Sequence, residues 1–96
     1  MSIQSQEQKT GSIAEKRYSS EDVYGKKVIL YNDEINSFEH VEMCLRKFCF
    51  KSSTDARNIA MEAHNKGRAV CYKGSFEECE TVAMLLAENH LTVSLE

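Results

Sequence analysis

The chain has 96 residues, a formal charge of -3 and a pI near 5.6; it fits one domain with one modest core and excludes two. Its 12 Lys and Arg are outnumbered by 15 Asp and Glu, which argues against a nucleic-acid partner, because that affinity comes largely from clustered cations neutralising phosphates. No apolar leader region opens the chain and its longest apolar run, Val82 to Ala87, is too short for a bilayer. A soluble, cytoplasmic protein with a polypeptide or small-molecule partner, and no membrane partner, is therefore expected.

Residues 1–22 are rich in Ser, Gln, Glu and Lys with scattered apolar side chains, too few to repay the entropy of ordering. A flexible N-terminal extension is expected there, followed by a core domain over 23–96. From Lys27 the texture changes to Lys-Val-Ile-Leu-Tyr, bounded by Gly25 and Asn32-Asp33, which predicts the first strand. Asn36 is placed to cap a helix with Glu39 at its third position, and Phe38, Val41, Leu45 and Phe48 repeat at the spacing of an apolar stripe. The first helix is expected to end near Phe50.

Ser52 and Ser53 offer the next cap, Ala56, Ile59, Ala60 and Ala63 the next stripe, and Gly67 a left-handed stop; the second helix should end just after His64. Arg68 to Lys73 reads as the second strand, closed by Gly74. Ser75-x-x-Glu78 is a capping box opening a third helix from about Phe76 to Glu88, with Cys79, Val82, Ala83 and Leu86 inward. Leu91, Val93 and Leu95 then alternate with Thr92 and Ser94, the mark of a last strand. The fold class is α+β: a two-layer β-α-α-β-α-β domain, its three-stranded antiparallel sheet covered on one face by three helices. Cys44, Cys49, Cys71 and Cys79 have no C-x-x-C spacing and lie in hydrophobic segments, so they read as reduced core residues.

Polar groups meet strong structural signals at Asn32-Asp33-Glu34 and at His64. By pattern alone neither is specific, since turn chemistry accounts for the first and a satisfied rim histidine for the second. His64 follows Ala60 by one helical turn and so projects from the edge of the apolar stripe. An imidazole nitrogen, an amide oxygen and a carboxylate together suit a primary ammonium. An enzyme reading takes Cys71 as nucleophile and His64 as base, but Cys71 sits within a predicted strand with no oxyanion helix terminus nearby. A metal reading takes Asp33, Glu34, His40 and His64, but His40 faces away from the Phe38-Val41-Leu45 stripe and no short His/Cys spacing supports it.

Lys-Val-Ile-Leu-Tyr-Asn-Asp-Glu over 27–34, and Ala60-Met61-Glu62-Ala63-His64-Asn65-Lys66-Gly67-Arg68-Ala69-Val70-Cys71, resemble the two signature segments of the ClpS adaptor family, in the family's order and spacing. The similarity spans about Lys27 to Glu96. It implies a monomeric, non-enzymatic adaptor, without cofactor or metal, that binds the free α-amino group and large hydrophobic first side chain of N-degron peptides and proteins. It further implies delivery of these substrates to the N-terminal domain of a Clp AAA+ unfoldase of ClpA or ClpC type, with the flexible extension engaged during transfer.

Residue by residue, the resemblance implies Asn32 and His64, with Asp33 and Glu34 beside them, for the amine. It implies Asn36, Phe38, Val41, Ala60, Ala63 and Leu91 for the side-chain pocket, and Glu77, Glu78 and Glu80 for unfoldase docking. Departures from the pattern matter too. Phe38 stands where a Met usually guards the pocket against β-branched side chains, and Ala60 and Ala63 replace bulkier walls. The expected preference is for Phe, Tyr, Trp and Leu over Ile and Val. No Lys or Arg follows Lys73, so the basic half of the docking surface is missing. A generic interaction or small-ligand regulatory domain would share the fold but need no free amine.

Overall fold

The computed structural model describes residues 25–96; the extension expected over 1–22 lies outside the described residues. Strand β1, Lys26–Tyr31, is the centre of an antiparallel sheet of order β2-β1-β3, where β2 is Arg68–Gly74 and β3 is Val93–Leu95. Its β-branched run suits a strand buried on both sides, and Val28, Ile29 and Leu30 are each at most 2% exposed. Val28 and Leu30 join the main core, whereas Ile29 does not, as alternation requires. Val28 pairs with Tyr72 and Ile29 with Val70, so Cys71 is the extra residue of a bulge.

On the Ile29 face, the register sets Arg68 beside Tyr31, and the Lys27 N–H donates to the Glu96 carbonyl across the other flank. Arg68 Nη2 donates to both Glu96 carboxylate oxygens at 3.0 Å, so this ion pair crosses the central strand above Ile29. Its guanidinium also lies over the Tyr31 ring, 5.6 Å from the centroid.

Three helices cover the other face: α1, Phe38–Phe48, α2, Ser53–Lys66, and α3, Phe76–Glu88. The cap of α1 corrects the sequence reading. It is Ser37, not Asn36, whose side chain accepts from the His40 N–H at 3.1 Å, because the Asn36 amide is committed elsewhere. Helix α1 stops at Phe48 rather than Phe50: the Cys49 and Lys51 N–H groups both return to the Leu45 carbonyl, and Phe50 takes a left-handed φ of 59°. Ser52 caps α2, which runs to Lys66, past the expected end, until Gly67 at φ 93° donates to the Ala63 carbonyl.

The Ser75–Glu78 capping box opens α3 as expected. Strand β3 is shorter than the Leu91–Leu95 alternation suggests. The Leu91 N–H is spent on the Leu86 carbonyl at the end of α3, so Leu91 packs in the core without joining the ladder. Leu45, Leu86 and the four cysteines, all buried and free, fill the space between the layers.

Candidate functional site

The two distant segments singled out in the sequence meet because Gly67 reverses the chain at the end of α2. Its carbonyl accepts from the Asn32 N–H at 3.1 Å, which pins the end of β1 to the turn just beyond His64. The chain then leaves β1 through a tight turn organised by one carboxylate. Asp33 Oδ1 accepts from the N–H groups of Ile35 at 3.0 Å and Asn36 at 2.9 Å, and Asn36 Nδ2 donates to both Asp33 oxygens, an Asx turn.

Asn36 Nδ2 also donates to the His90 carbonyl at 2.9 Å. One residue earlier in that same turn, His40 Nε2 meets the Asn89 carbonyl at 2.9 Å, so this nitrogen carries the hydrogen. His40 is thus half-buried and engaged with the turn after α3, not simply facing outward as the helical stripe suggested. These two side chains lock the start of α1 to the connection between α3 and β3.

Burial pushes the Asp33 carboxyl up, but hydrogen bonds from Asn36 and Ile35, helped by the nearby His40, outweigh it and hold the group below its ordinary 3.8. A depressed carboxyl stabilises the folded turn above the unfolded value, and that contribution is lost as pH falls through the folded one. In an acid titration followed by NMR, the Ile35 and Asn36 amide signals should therefore shift with a midpoint below pH 3.8. An inflection above that value would show that Asp33 does not organise the turn.

Around this turn lies a pocket of about 60 Å³ lined by Tyr31, Asn32, Asp33, Asn36, Phe38, Val41, Ala60 and His64. Polar groups come from the β1 turn and the end of α2, apolar walls from α1 and α2. The Phe38 and His64 rings meet edge to face, with centroids 5.4 Å apart and planes at 67°. Seven of the residues expected at the site line it. Tyr31 was not singled out; it follows from its place before Asn32, with its hydroxyl engaged by Ser94 Oγ at 2.9 Å. Glu34 is exposed beside the pocket without lining it, and Ala63 and Leu91 are buried in the core.

Glu77, Glu78 and Glu80 are exposed at the start of α3. The first two border a separate groove of about 400 Å³ with Phe48, Phe50, Tyr72, Thr81, Val82 and Leu85. Phe50 stands 78% exposed there. Cys71, the nucleophile of the enzyme reading, is wholly buried, and contact with Cys49 together with burial pushes its thiol far up, leaving no thiolate to attack. Among the described residues, no three His, Cys, Asp or Glu side chains gather in a way that could hold a metal ion, and no helix is long and apolar enough to cross a membrane.

The fold and the site define a small α+β binding domain, with a polar rim set against an apolar pocket. Residues 21–94 match the family described as ATP-dependent Clp protease adaptor protein ClpS, and the chain belongs to that family. Among curated relatives, the ClpS adapter of Thermosynechococcus vestitus is 33% identical over 69 residues, 71% of this chain and 73% of the relative. That of a Synechococcus strain is 37% identical over 71 residues, 73% and 68% of the two chains. In three dimensions the chain resembles Agrobacterium tumefaciens ClpS2 bound to L-phenylalaninamide, with a TM-score of 0.68 and 27% identity, covering 78% of this chain and 96% of that one. Members of the family are Clp protease adaptors, not enzymes, which bears out the non-enzymatic reading and the α+β fold.

Proposed function

We propose that this adaptor captures N-degron substrates by the free α-amino group and large hydrophobic side chain of their first residue. The observation that carries the reading is the convergence of Asn32, Asp33 and His64 with Phe38, Val41 and Ala60 on one pocket. A charge-assisted hydrogen bond contributes roughly 1.5 to 3 kcal/mol, and burial of a Leu or Phe side chain about 1.5 to 3 kcal/mol more. After the cost of association, micromolar to submicromolar affinity requires both. L-phenylalaninamide, the ligand of the Agrobacterium relative, pairs a free amine with a benzyl side chain, which supports this reading.

The hydrogen bonds within the turn refine the roles. Oδ1 of Asp33 already accepts from Ile35 and Asn36, so Asp33 contributes charge and turn geometry, while the Asn32 amide oxygen and a His64 nitrogen are the principal acceptors. Glu34 adds negative charge alongside, and Asn36, Ala63 and Leu91 back the pocket for the side chain. Phe, Tyr, Trp and Leu are the preferred first residues.

Delivery is to the N-terminal domain of a ClpA- or ClpC-type unfoldase docking at Glu77, Glu78 and Glu80. The groove beside them, with Phe50 exposed at its edge, supplies the apolar contact area that a partner needs. Residues 1–22 serve as the extension handled during transfer, 23–96 as a monomeric, cytoplasmic core domain. Fluorescence titration with two short peptides, identical except that the N-terminal Phe of one is acetylated, tests the capture step. Binding of the free peptide alone is expected, and undiminished binding of the acetylated one would favour a generic interaction domain.

A further inference from the structure

The pocket measures about 60 Å³, whereas the cavity that takes up a benzene ring is about 150 Å³. A Phe or Tyr side chain therefore does not enter it without movement of a wall. Ala60 is a buried methyl group on α2 and Val41 packs against the core, so neither yields. Phe38 differs: it is 40% exposed at the first position of α1, with one side open to solvent. What it rests on is His64, in the edge-to-face contact at 5.4 Å.

The movable wall of the side-chain pocket thus leans on the imidazole assigned to the amine. We propose that Phe38 and His64 form a latch, so that capture of the α-amino group and admission of the first side chain are one coupled event. An ammonium engaging His64 turns the ring towards the amine, which releases the edge-to-face contact. Phe38 then swings out and the pocket widens. A side chain arriving without an amine must break the same contact with nothing gained at His64, and an amine without a large side chain leaves the pocket unfilled. Either half arriving alone thus meets the full cost of the contact, and the two arriving together meet it once.

This inference rests on the assignment of His64 to the amine, and a cycle of four affinities separates the two. In the wild type and in Phe38→Ala, the loss on N-acetylation is measured for a peptide beginning with Phe and for one beginning with Ala. An amine with a small side chain, or a large side chain without an amine, breaks the contact alone, whereas the two together break it once. In the wild type, acetylation is therefore expected to cost the Phe peptide about three- to tenfold more than the Ala peptide, the scale of an aromatic pair contact, and in Phe38→Ala the two losses should be equal. Phe38→Leu, which keeps an apolar wall without a ring, should behave like Phe38→Ala. Equal acetylation losses for the two peptides in the wild type, or wild-type coupling retained in Phe38→Leu, would overturn the latch. An acetylation loss near zero for the Phe peptide in every protein would instead remove the amine assignment beneath it.

Discussion

Replacing both Asn32 and His64 by Ala is expected to weaken binding of a peptide beginning with free Phe by about a hundredfold or more, at roughly 1.5 to 3 kcal/mol for each hydrogen bond to the charged ammonium. Neither side chain holds the fold together. His64 is exposed near the end of α2, and the bond that ties Asn32 to Gly67 is made by its backbone N–H, which the substitution keeps. The thermal transition should therefore stay close to that of the wild type. Isothermal titration against the free and acetylated peptides, beside a melting curve, checks the pair of outcomes. A double variant that bound the free peptide within a fewfold of the wild type would transfer the amine to another group, Asp33 Oδ2 being the next acceptor in reach of the pocket.

Leu86→Ala carries the second large effect, on stability rather than recognition. Leu86 is wholly buried on α3, and truncation of a buried Leu costs about 2 to 5 kcal/mol through lost transfer energy and the cavity left behind. In a domain of this size that corresponds to a fall in melting temperature of roughly 10 to 30 °C. Its carbonyl also accepts from the Leu91 N–H, so slackening there reaches the turn that Asn36 and His40 grip. Peptide affinity measured well below the new transition should fall as well. A melting point lowered by only a degree or two would mean that α3 is not a principal support of the sheet.

Features carried by neighbouring residues were the legible ones. Ser75 and Glu78 stand three positions apart and find each other within one turn, so their capping box is present as read. Gly67 likewise ends α2 by its own backbone preference. The Asn36 cap failed because its amide is claimed both by Asp33 and by a carbonyl 54 positions away, a competitor invisible to local spacing. For the same reason His40 read only as facing away from the Phe38-Val41-Leu45 stripe, because its partner at 2.9 Å, the Asn89 carbonyl, lies 49 positions along the chain. The shortening of β3 follows from another contest, in which the end of α3 takes the Leu91 N–H before the sheet does.

The site divides along the same line. Asn32 and His64 were linked through a resemblance, and the physical link between them is a single backbone bond at Gly67. The contact between Phe38 and His64 depends on side-chain directions from two helices, and no spacing along either helix encodes it. The groove under Phe50 depends on a left-handed residue at the end of α1, where the sequence offers Phe rather than the Gly or Asn that announces such a turn.

The central position of β1 has a mechanical consequence. The strand follows directly on Gly25 and is bonded along both flanks, to β2 on one side and to β3 and Glu96 on the other. A pull along its axis from the N-terminal side loads both ladders in shear, so the hydrogen bonds share the force and do not open one at a time from an edge. Traction on whatever precedes Gly25 thus meets the best-anchored strand of the domain, and a motor hauling there would be resisted by the whole sheet.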